Sequence, residues 1–91
     1  MTTAPTTAVI RSKAELSTWL TSLIADYLDV DAVSLDPRRP LAEAGLDSVY
    51  AVSVCADIED ALGIPVEPTL AWDHPTVEAM AAYLHDALAV R

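Results

Sequence analysis

An all-α bundle is the fold this sequence predicts, with three substantial helices, one short helix and a long first connection. Three observations carry that expectation. Glycine occurs only at Gly45 and Gly63 while alanine, leucine and valine dominate, which favours helices over a turn-rich sheet protein. Apolar residues return at helical spacing in three separate segments. The 91 residues are enough for one domain and too few for two.

Taken in order, residues 1–11 read as a flexible leader and residues 12–90 as the foldable unit. The leader has no basic region followed by a long apolar stretch, so it is not a secretory signal. The first helix is expected from about Ser12 to Asp29. Ser12 and Glu15 form a capping-box pair, and Leu16, Leu20, Leu23, Ile24, Tyr27 and Leu28 make one stripe. Trp19 lies beside that stripe as packing. The connection from Val30 to Asp47 contains Pro37 and Pro40, which forbid a regular helix there, and Leu35 and Leu41 are expected to pin it into the core.

The second long helix is expected from Ser48 to Leu62, stopped by Gly63. Ala51, Val54, Cys55, Ile58 and Leu62 form its buried face. Residues 64–68 read as extended, and Thr69 to Asp73 as one short helical turn closed by Pro75. Thr76 then caps a last helix with a core stripe of Val77, Met80, Ala81, Leu84 and Leu88.

Composition narrows the function. Apolar residues make up 53%, far too many for a disordered chain. No apolar run approaches the length needed to cross a bilayer. Fourteen acidic residues against five basic ones give a net charge of −9. That field repels nucleic acid and anionic membranes and attracts basic protein surfaces, although solubility alone is also a sufficient reason for it. Cys55 is the single cysteine, so no internal disulfide forms and a reducing cytoplasm fits. No residues have metal-ligand spacing in a supporting context.

The segment Leu41-Ala42-Glu43-Ala44-Gly45-Leu46-Asp47-Ser48-Val49 is the most informative. Gly45 permits a tight turn just before a helix begins, which brings Asp47 and Ser48 to the helix N-terminus. Two readings fit. Either residue serves as an ordinary N-cap, or the Ser48 hydroxyl carries a phosphate ester in front of the unpaired amides and positive end of the helix. Opposite the buried face lie Val49, Val52, Ser53, Ala56, Glu59 and Asp60, small and apolar at the top and acidic below. This face suits docking of a basic partner, unless the short helix of residues 69–73 covers the valines. His74 and His85 do not combine with Ser48 into a hydrolase triad pattern.

With these segments in view, the chain resembles the acyl carrier proteins. Gly45-Leu46-Asp47-Ser48-Val49 matches that family's attachment motif in its G-L-D-S-[LV] form. Residues 57–64 resemble the end of the family's second helix. Trp72-Asp73-His74-Pro75-Thr76 resembles the F-x-H-P-T segment of polyketide-synthase carrier domains. The resemblance runs from Leu16 to Leu88. It implies a four-helix carrier bundle with 4′-phosphopantetheine covalently attached to Ser48 and Asp47 flanking it within the motif. It further implies that a phosphopantetheinyl transferase attaches the arm, that the arm's thiol holds acyl groups as thioesters, and that the protein is a non-catalytic substrate of other enzymes.

The partners implied are acyltransferases, acyl-ligases or ketosynthase-type enzymes with basic docking surfaces, in polyketide or related natural-product and lipid biosynthesis. A peptidyl or aminoacyl carrier shares the arm and fold and stays open, as does an unmodified helical interaction module. Departures from the family are Ser53 where many carriers have glutamate, the bulk of Tyr50, and Trp72 in place of Phe. The start at Met1 and the end near the last helix favour a stand-alone protein, a carrier domain excised from a larger synthase stays open, and a monomer is expected.

Overall fold

The computed structural model describes residues 12–89; the expected leader, residues 1–11, and residues 90–91 lie outside the described residues. The described chain forms α1 (Lys13–Leu28), a 3-10 turn (Ala32–Ser34), α2 (Leu41–Ala44), α3 (Ser48–Leu62), α4 (Leu70–Asp73) and α5 (Val77–Ala89). α1 packs along α5 and against α3, and α4 leans on α3.

The helix ends follow their local chemistry. Ser12 Oγ accepts from the Glu15 N–H at 3.0 Å and Glu15 Oε1 accepts from the Ser12 N–H at 3.1 Å, the reciprocal capping box expected of α1. Asp29 ends that helix in the left-handed region at φ 57°. A short polar side chain tolerates that conformation better than most residues other than glycine. Gly63 ends α3 at φ 69°, and the Ala79 N–H donates to Thr76 Oγ1 at 3.0 Å at the start of α5.

Leu16, Leu20 and Ile24 from α1, the five-residue inner face of α3, and Val77, Met80, Ala81 and Leu84 from α5 meet in one core. No polar or charged side chain is buried among the described residues. Trp19 and Tyr27 pack on the rim of that core, and Leu88, expected within it, is also half-buried at its edge. His85 is half-buried on α5.

The first connection differs most from its sequence-based description, because it contains a 3-10 turn and the one-turn helix α2. Four residues are too few to show a periodicity, and such a helix holds only when tertiary contacts fix it. Here the Leu41 N–H donates to the Pro75 carbonyl at 2.8 Å and the Glu78 N–H to the Pro37 carbonyl at 2.8 Å. The connection is thereby laced to the start of α5. Leu35, Leu41 and Leu46 reach into the core beneath it.

Candidate functional site

The site is built at the point where α2 stops and α3 begins. Gly45 ends α2 at φ 111°, a conformation that side chains on L residues rarely adopt. The chain turns there, the Leu46 N–H donates to the Leu41 carbonyl at 3.0 Å, and the Leu46 side chain is buried. The buried leucine fixes where the next helix starts.

Asp47 takes the capping position. Its backbone is extended, and Asp47 Oδ1 accepts from the Tyr50 N–H at 2.9 Å. Its carbonyl accepts from the Ala51 N–H at 2.9 Å. Ser48 is the first residue of α3, is exposed, and makes no hydrogen bond through its hydroxyl among the described residues. The amides of Ser48 and Val49 precede the first intrahelical bond, so they remain available at the positive end of a 15-residue helix. Within the first turn of α3 itself there is no acidic side chain, and the Asp47 carboxylate just ahead of it is turned to the Tyr50 amide. One of the two adjacent polar residues thus serves the helix and leaves the other free.

Below Ser48 the outward face of α3 is open. Val49 is 70% and Val52 52% exposed, so α4 does not cover them. Ala56, Glu59 and Asp60 are exposed on the same side, and Ser53 is half-buried. The structure therefore brings Val49, Val52, Ser53, Ala56, Glu59 and Asp60 onto one surface that starts at Ser48. Glu59 has an additional role, because its Oε1 accepts from the Val66 N–H at 3.2 Å and ties the segment after α3 back to the helix.

The neighbouring flank of α3 contains residues that sequence patterns did not reveal. Tyr27 of α1 donates its hydroxyl to Asp57 Oδ2 at 2.5 Å. That hydrogen bond, then burial, then the Asp57 charge push the Tyr27 phenol above its usual pKa. The Tyr27 and Tyr50 rings lie 6.0 Å apart, tilted by 56°. Thirty residues separate Tyr27 from Asp57, and only the packing of α1 on α3 makes them neighbours.

The remaining candidates are either packed or at the surface. Cys55 is buried, and burial pushes its thiol up in pKa against a smaller opposing pull from the Ala71 and Leu70 backbone. His74 stacks on Tyr83 with centroids 4.6 Å apart. Arg39 pairs with Glu43 at 3.3 Å. Trp72 is exposed on α4. Among the described residues no group of histidine, cysteine and acidic side chains is arranged to hold a metal ion, and no helix is long and apolar enough to cross a membrane.

Comparison with known proteins points in one direction. The family described as "Phosphopantetheine attachment site" matches residues 18–84. A phenolphthiocerol/phthiocerol polyketide synthase polypeptide of Mycobacterium tuberculosis is 38% identical over 77 residues, which make up 85% of this chain and 4% of that much longer one. A free-standing peptidyl carrier protein from Acinetobacter baumannii superposes with a TM-score of 0.83 at 40% identity, covering 85% of this chain and 96% of that one. The acyl carrier protein LipD from Actinoplanes friuliensis superposes with a TM-score of 0.74 at 35% identity over 100% of both chains.

Proposed function

Because this chain belongs to the phosphopantetheine-binding carrier family, we propose that Ser48 takes the arm and that the protein carries acyl groups in polyketide or related natural-product biosynthesis. The observation that carries the choice of residue is the division of labour at the start of α3. Asp47 caps the helix through the Tyr50 amide, and the Ser48 hydroxyl is left exposed and unbonded. The site also fits the group: a phosphodiester on Ser48 is favoured by the first-turn amides and the positive helix end.

When attached, the arm supplies a thiol on which a cargo is held as a thioester. The chain's own residues do no chemistry on that cargo. Neither histidine engages Ser48, so the base that activates the hydroxyl belongs to the transferase that brings coenzyme A. Ser48 supplies the oxygen, Asp47 and Gly45 hold it at the helix end, and the outward face of α3 receives the partner. A non-catalytic, cytoplasmic carrier is part of the same proposal, supported by the unpaired buried thiol of Cys55. The expected partners are a phosphopantetheinyl transferase and acyltransferase, acyl-ligase or ketosynthase-type enzymes whose docking surfaces are basic.

The acyl reading draws on the polyketide-synthase relative and on Trp72-Asp73-His74-Pro75-Thr76. A peptidyl or aminoacyl cargo is the second reading, favoured by the likeness to the Acinetobacter peptidyl carrier.

Incubation with coenzyme A and a broad-specificity phosphopantetheinyl transferase, followed by intact mass spectrometry, tests the assignment. One added phosphopantetheinyl group on the native chain and none on Ser48→Ala is the expected result. An unchanged native mass, or modification of Ser48→Ala, would reject it.

A further inference from the structure

The segment Trp72-Asp73-His74-Pro75-Thr76 lies outside the attachment motif, yet backbone bonds join the two. The Pro75 carbonyl accepts from the Leu41 N–H at 2.8 Å, and the Leu41 carbonyl accepts from the Leu46 N–H at 3.0 Å. Leu41 thus uses its amide to hold the segment before α5 and its carbonyl to close the turn at Gly45. Both leucine side chains are buried, and Ser48 follows Leu46 by two residues. A helix as short as α2 has no stability of its own, so the turn depends on this outside support.

The direction of the Pro75 carbonyl is set one residue earlier. Proline fixes its own φ and holds the residue before it to extended backbone, as at His74, φ −132° and ψ 81°. The His74 N–H donates to the Leu70 carbonyl at 2.8 Å, and its ring stacks on Tyr83 of α5 at 4.6 Å and 29°. Tyr83 is 44% exposed. The stack therefore lies at the surface, where its removal leaves no internal cavity.

We infer that His74, held by Tyr83, is a positioning residue for the modification of Ser48. It aims the Pro75 carbonyl at Leu41 and so fixes the Gly45 turn from which Ser48 projects. The inference rests on the assignment of Ser48 above. In the transfer, the Ser48 oxygen bonds to the phosphorus that bears the pantetheine. The bond from that phosphorus to the adenosine bisphosphate half of coenzyme A breaks, and the serine proton passes to a base of the transferase. Such a displacement needs the hydroxyl in line with the bond that breaks, and a loosened turn spreads it over unproductive positions.

Transfer kinetics and amide hydrogen exchange on the full chain test the tie together. In His74→Ala, and in Tyr83→Leu, exchange at the Leu41 and Leu46 amides should quicken about tenfold while Val54 and Ile58 keep native rates. The kcat for phosphopantetheine transfer should fall about tenfold with KM for the carrier unchanged, and His74→Phe, which keeps a stacking ring, should return it to within about twofold of native.

Native exchange at Leu41 and Leu46 in both variants would overturn the tie. Exchange that quickens equally through α3 would overturn it too, since the stack would then serve general stability. A raised KM with native kcat would make His74 and Tyr83 a docking contact instead, and quickened exchange with native kcat would show that the turn does not limit transfer. Failure of the native chain to accept any phosphopantetheine would reject the Ser48 assignment itself, a result separate from the exchange rates.

Discussion

The two faces of α3 share one helix and follow opposite rules. Inward, Ala51, Val54, Cys55, Ile58 and Leu62 are all nearly or fully buried, and they meet α1 and the segments around α4. Outward, Val49 and Val52 leave more than half their surface in water. Exposing apolar side chains beside a fully satisfied core does nothing for folding. The proposed function therefore puts stability on one side of the helix and recognition on the other, and substitutions should separate them.

The largest effect expected is on the inner face. Ile58 is fully buried, so Ile58→Ala should lower unfolding free energy by about 2–5 kcal/mol, through lost burial and the cavity left behind. Urea unfolding measures this, and a loss under half a kcal/mol would mean the core is looser than described. Next is the helix start: Asp47→Ala removes the acceptor for the Tyr50 amide and should cost about 1 kcal/mol, read from the same curves.

On the outer face, Val52→Ser should change stability by no more than about 0.5 kcal/mol, yet slow transfer of cargo from partner enzymes. A large loss of stability would break the separation of the two faces.

The smallest effect concerns the seam with α1. Because the Tyr27 phenol is raised by its bond to Asp57, that contribution is fully present below the unfolded-state value of about 10 and is lost as pH rises through the folded-state value. The difference in melting temperature between native protein and Tyr27→Phe should hold at neutral pH and vanish at strongly alkaline pH. A difference that grows with pH would contradict the assigned bond.

Much of this arrangement was legible in the chain. Ser12 with Glu15, Gly63 and Thr76 are local signals that work within a few residues, and each marks a real helix end. The inner face of α3 is a periodicity and survives without knowledge of its neighbours. What stayed hidden depends on distant contact. The α2 turn needs the Pro75 carbonyl, and the Tyr27–Asp57 bond needs two helices to be packed. The choice between Asp47 and Ser48 as cap was open for a similar reason. Both residue types suit the position, and the register was decided by Leu46 reaching the core after the Gly45 turn. Exposure of Val52 likewise depended on where α4 settled.

The division between Asp47 and Ser48 is the central claim, and peptide mapping of the enzymatically modified chain by tandem mass spectrometry tests it most directly. The phosphopantetheinyl group should be found on the peptide containing Ser48, with fragment ions placing it on that serine. The same group found on Ser53 or Ser34, with Ser48 unmodified, would contradict the reading of this helix start as the attachment point.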